Sequence, residues 1–87
     1  MTNRQIREAA KEECMNYTRL AQSYWRKYLQ GGEQTHFNIA IDFKQEAMGI
    51  INFLKAIEVI SEEERSKCVD TVLEVIYDTG WMEGGEK

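Results

Sequence analysis

Residues His36–Val59, HFNIAIDFKQEAMGIINFLKAIEV, begin like one kind of structure and continue like another. Phe37, Ile39, Ile41 and Phe43 alternate with a period of two, as in a half-buried strand. Beyond them Ala47, Ile50, Ile51, Leu54 and Ile57 keep helical spacing, and the whole run is too long for an ordinary strand. The reading is therefore a helix over about 36–59. Phe37, Ile41, Met48, Phe53 and Val59 project elsewhere around it, so the segment is apolar on more than one side. Such a helix is either central to its domain or part of an oligomer interface. Gly49 costs about 1 kcal/mol against alanine in a helix interior. With Ala47 and Ala56 nearby, it is read as a point of close approach by another helix. Ile41, Met48, Gly49 and Phe53 are thus the expected core or dimer hub.

On the N-terminal side, Thr2 and Gln5 form a capping-box pattern, and Gly31-Gly32 ends the periodic run, which predicts a helix over 3–29. At 100° per residue, Ile6, Ala9, Ala10, Tyr17, Leu20, Ala21, Tyr24 and Tyr28 share one face. Arg4, Arg7, Lys11, Arg19, Gln22 and Arg26 share the other. Glu13 falls in the middle of the apolar face, where a buried carboxylate would need a polar partner. On the C-terminal side, Ser61-Glu62-Glu63-Glu64 is a capping box with acids at the positive end of the helix dipole. It opens a helix expected over 61–79, with Cys68, Val69, Val72, Leu73, Val75 and Ile76 buried. Gly80 is read as its C-terminal cap, with Trp81 folded back, and 82–87 as a frayed tail.

The sum is a single all-α domain spanning 1–87, three helices with a long central hydrophobic one. So few helices with so apolar a middle member suggest a helical homodimer. Composition agrees with a globular chain: 87 residues, 43% hydrophobic, 30% charged and no proline to interrupt a helix. No run of about 18 apolar residues offers a membrane span, and the polar start is unlike a secretory signal. A cytoplasmic protein that leaves membranes alone is expected.

Chemistry is scarce. His36 is the one histidine, and beside the double glycine it reads as a cap or a solvated side chain. Cys14 and Cys68 form no Cys-x-x-Cys pair, so Cys and His alone build no zinc site. They read as reduced, mostly buried thiols, with a disulfide between the first and third helices as the alternative. No phosphate loop, nucleophile elbow or metalloprotease motif occurs. Neither catalysis, nor a metal, nor a cofactor is expected.

Charge is distributed unevenly. The net charge is −4, yet residues 1–32 carry +3 and residues 33–87 carry −7. The basic residues Arg4, Arg7, Lys11, Arg19 and Arg26 could meet phosphates or an acidic protein, although Glu8 and Glu12 lie beside them. Glu63, Asp70, Glu74 and Asp78 form the converse, an acidic stripe interrupted by Lys67. Carboxylates in a row can imitate phosphates on a basic partner surface, with Trp81 as an aromatic anchor.

The segment AMGIINFLKAIEVISEEERSKCVDTVLEVIYD (Ala47–Asp78) resembles small acidic helical accessory proteins of phages and mobile elements of Firmicutes. The likeness rests on a hydrophobic helix, an Ile-Ser turn and an acidic capped helix, over about a third of the chain. Anti-CRISPR proteins are one class of such proteins. The resemblance implies a non-enzymatic inhibitor that blocks a basic nucleic-acid-binding surface of a host defence protein, and it carries no motif residue by residue. Two other functions stay open: a small nucleic-acid-binding regulator using the first helix, and a structural dimerisation module.

Overall fold

The computed structural model describes residues 2–80. It is all-α: α1 (Asn3–Leu29), α2 (Gln34–Ala56) and α3 (Glu62–Tyr77), with α2 antiparallel to α1 and α3 parallel to it. Residues 37–43 are helical, so the period-two alternation at the start of α2 does not produce a strand. Among the described residues no helix is long and apolar enough to cross a membrane. Trp81 and the tail 82–87 lie outside the described residues.

Local chemistry sets the ends of these helices. Thr2 accepts from the Gln5 amide at 3.2 Å while the Gln5 side chain accepts from the Thr2 amide at 2.9 Å. Ser61 and Glu64 repeat the arrangement at the start of α3. Ser61 is therefore the cap and the helix begins at Glu62. α2 begins at Gln34, two residues before His36, on Glu33, whose side chain makes no capping bond. Without a Ser, Thr, Asp or Asn at the cap, sequence offered no marker there.

Two helix ends use one device. After α1, Gly32 donates to Lys27 O at 2.9 Å and Gly31 to Tyr28 O at 3.2 Å, with Gly31 at φ 91°. After α2, Val59 donates to Leu54 O at 2.9 Å and Glu58 to Lys55 O at 3.0 Å, with Glu58 at φ 59°. Both are Schellman caps, whose left-handed residue is normally glycine. The expected helix over 36–59 is thus stopped at Ala56, and Val59 is buried in the turn rather than on the helix. α3 stops at Tyr77 on an extended Asp78, whose carboxylate accepts from the Gly80 amide at 2.9 Å. Gly80 therefore does not cap the helix, and the expected end at residue 79 comes two residues early.

The core is shared by all three helices and the α2–α3 turn: Ala21, Ala47, Ile51, Leu54, Val59, Ile60, Val72 and Ile76. Ala21 and Ala47 have no exposed surface, which lets α1 and α2 approach closely. Gly49 does not take part in that approach. A Cβ there would meet nothing within 4 Å, and Gly49 and Ala56 are exposed. Glu13 is likewise exposed. The buried side of α1 runs through Ala10, Cys14, Thr18, Ala21 and Trp25, turned from the expected face so that Leu20 is 41% exposed.

Thr18, 1% exposed, is buried despite its hydroxyl because Oγ1 donates to Cys14 O at 2.7 Å, one turn back. At the other end Trp25 meets Tyr77 edge-on at 4.9 Å and packs against Tyr28 and Phe37. Aromatic pairs of this kind bury large areas in preferred edge-to-face geometry. They fasten the end of α3 to α1 and to the start of α2.

Candidate functional site

The basic face of α1 is partly neutralised by ion pairs. Arg7 is exposed, yet its guanidinium is engaged within the fold. Its Nε and Nη2 donate to Val59 O at 3.2 and 3.1 Å, and Nη2 also reaches the Glu64 carboxylate at 2.8 and 3.0 Å. One guanidinium thereby joins α1, the α2–α3 turn and α3, using the bidentate reach lysine lacks. Arg4 pairs with Glu8 at 3.2 Å. Arg26 is half-buried, and Lys11 lines a groove between the helices. Arg19 stays exposed. Arg4, Arg7 and Lys11 are exposed as well, so ion pairs reduce the charge of this face without burying it.

α3 behaves differently. Glu63, Asp70, Glu74 and Asp78 are all exposed. Positions 63, 70 and 74 repeat at i, i+7 and i+11, which places three carboxylates in a line about 16 Å long. Glu63 pairs with Lys67 at 3.3 Å across open solvent, an arrangement that contributes little. Among the described residues Asp70 and Glu74 make no ion pair or side-chain hydrogen bond. Hydrogen bonds from Arg65 hold the Glu62 carboxyl below its ordinary range. For Glu64 the leading cause is the Ser61 amide, followed by Arg7.

The expected hub divides. Met48 packs against the core and Ile41 is half-buried, whereas Phe53 is 60% exposed and Gly49 lies open beside it. Gly49 and Phe53 share a shallow groove with Ile6, Ala9 and Ile50, edged by Glu13 and Glu46. Glu13 raises the Tyr17 phenol above its ordinary value, with burial and Glu46 adding smaller effects.

A second groove, of about 390 Å³, lies between α1, α2 and α3. Its walls include Ala10, Ile50, Leu54 and Val72, and Cys14 and Cys68 both open into it. Both cysteines are free. Cys14 is half-buried and its thiol donates to Ala47 O at 3.6 Å. Cys68 is exposed, which corrects its placement on the buried side of α3.

His36 packs against the Tyr24 ring at 6.0 Å. Among the described residues no three His, Cys, Asp or Glu side chains gather as metal ligands. The sequence reading missed the Arg7 clamp and buried Thr18. No periodicity within α1 signals the Arg7 clamp, which depends on how α1 aligns with α3 and the α2–α3 turn. Comparison of the chain with family models, curated proteins and solved structures gives no match.

Proposed function

We propose that this chain is a non-enzymatic cytoplasmic protein-binding domain whose α3 stripe occupies a basic, nucleic-acid-binding surface of a partner protein. The observation that carries this reading is the asymmetry between the two charged faces. Arg7 is engaged within the fold by Val59 and Glu64, whereas Asp70 and Glu74 are exposed and, among the described residues, make no ion pair. Exposed, uncompensated carboxylates in a row attract a basic surface and steer it into contact. The partner's nucleic acid would be displaced by competition, with no bond made or broken. This fits the phage-type inhibitor implied by the resemblance of Ala47–Asp78 to anti-CRISPR-like accessory proteins. Trp81, taken from the sequence, is the proposed aromatic anchor.

The test is a pull-down from host lysate with nuclease treatment, comparing two charge-reversed variants. Glu63→Lys/Asp70→Lys/Glu74→Lys is expected to abolish a stoichiometric, nuclease-resistant partner. Arg4→Glu/Lys11→Glu/Arg19→Glu is expected to leave it bound. The opposite pattern, with partners lost on nuclease treatment, would overturn the proposal in favour of a nucleic-acid regulator. Arg7 is left intact in both variants because it holds the fold.

Self-association belongs to the same proposal, on the face that Gly49 and exposed Phe53 share. In an antiparallel copy, Phe53 of each chain would lie over Gly49 of the other, a knob and its hole one turn apart. Phe53→Asp is expected to yield monomers in sedimentation equilibrium. An unchanged mass would refute that interface.

A further inference from the structure

The two cysteines stand 54 positions apart in sequence, yet the parallel run of α1 and α3 brings them to one height. Two cross-links fix the alignment of these helices. Arg7 reaches Glu64 at 2.8 Å, and Gln22 Nε2 donates to Val75 O at 2.8 Å. Interpolating between those anchors sets Cys14 opposite Cys68 and Val69, within about 2 Å along the helix axis. Helices packed about 8–10 Å apart bring facing side chains within disulfide reach. The same groove receives both side chains, Cys14 on its floor against Ala47 and Cys68 at its rim.

We infer that Cys14 and Cys68 form a reversible modification site, oxidised by a small-molecule disulfide to an intramolecular bond that closes the groove between α1 and α3. Cys68 is the attacking thiol, because it is exposed at the mouth of the groove where a small disulfide can reach it, whereas Cys14 is half-buried. The Cys68 thiolate attacks one sulfur of the oxidant, forming a mixed disulfide and expelling one small thiolate. Cys14 then gives up its proton and attacks Cys68 Sγ, expelling the second. Two protein thiols are oxidised, the oxidant is reduced to two small thiols, and the two protons pass to those leaving groups. Cys14 suits the second role. Burial pushes its thiol up, with a lesser contribution from Cys68 and a partial offset from Thr18, so it waits protonated until a sulfur is held beside it.

The experiment incubates the native chain with excess glutathione disulfide and follows intact mass, alkylation by iodoacetamide and non-reducing electrophoresis. The wild type should lose two hydrogens, remain a single chain, and shield both cysteines until dithiothreitol is added. Cys14→Ser should instead stop at a stable glutathione adduct on Cys68. Tm of the oxidised wild type should rise by at least about 5 °C, because a long loop is closed in the unfolded chain. A wild type that stays reduced, keeps the adduct as Cys14→Ser does, or pairs only between chains overturns the inference. So does a bond that forms only in urea or that lowers Tm, since the sulfurs would then meet only in the unfolded chain. Cys68 is exposed, so Cys68→Ser keeps the fold and should leave Cys14 as a free thiol under the same oxidant.

Discussion

Ile76 is 1% exposed and, with Val72, is the buried anchor by which α3 joins the core. Ile76→Ala deletes three carbons. At about 0.8 kcal/mol per buried methylene the transfer loss alone is about 2.4 kcal/mol. The core cluster that Ile76 joins includes Ala21 and Ala47, side chains too short to refill a vacated space, so a cavity contribution follows and the total should reach about 3–4 kcal/mol. A chain of this size has a total stability of about 4–13 kcal/mol, so the loss is a large share of it. Urea unfolding followed by far-UV circular dichroism measures it directly, and Tm should fall by at least about 12 °C. Ile76→Val keeps the branched shape, should lose about 1 kcal/mol, and serves if the alanine variant does not fold. A loss under about 1 kcal/mol for the alanine variant, with the denaturant slope unchanged, would refute the docking of α3 through this residue.

Two further outcomes follow from the turns and the clamps. Glu58 holds a left-handed backbone at φ 59° where the same cap after α1 uses Gly31, so Glu58→Gly should stabilise by about 0.5–1 kcal/mol in urea titration; a destabilised variant would show that Glu58 is not strained. The Glu64 carboxyl is held below its ordinary value of 4.5 by the Ser61 amide and by Arg7, so its contribution is fully present above pH 4.5 and fades as the pH falls through the lowered value. Arg7→Met should lower Tm at neutral pH and flatten the acid limb of the stability curve, and an unaltered acid limb would exclude the clamp as a source of acid sensitivity.

The features legible in the sequence were those written in local chemistry. Thr2 with Gln5 and Ser61 with Glu64 mark the helix starts because capping needs particular side chains at fixed offsets. Gly31 marks the end of α1 for the same kind of reason. The end of α2 was hidden because Glu58 adopts the conformation that glycine usually advertises. The turned face of α1 has another origin. Its true centre is built from Cys14, Thr18 and Ala21, residues of small apolar mass, while Tyr17, Leu20 and Tyr24 flank it and dominate any hydropathy count. Glu13 consequently looked central, although at 100° per residue it stands well around the helix from Cys14. The Arg7 clamp and the facing cysteines depend on how α1 aligns with α3, which no periodicity within one helix encodes. The acidic stripe was readable because exposed carboxylates need no partner to keep their place.

The length of α1 reaches beyond packing. Its 27 residues span about 40 Å and set the longest dimension of a molecule measuring 45 × 27 × 19 Å. The radius of gyration is 14.5 Å, against about 12 Å for a compact chain of this length. Such a particle drags more solvent than a sphere of equal mass. A single 10.2 kDa copy will therefore elute early from a gel-filtration column and tumble slowly in solution, imitating a larger species. Sedimentation equilibrium and light scattering weigh the particle rather than size it, and with them one copy and two are told apart by mass alone.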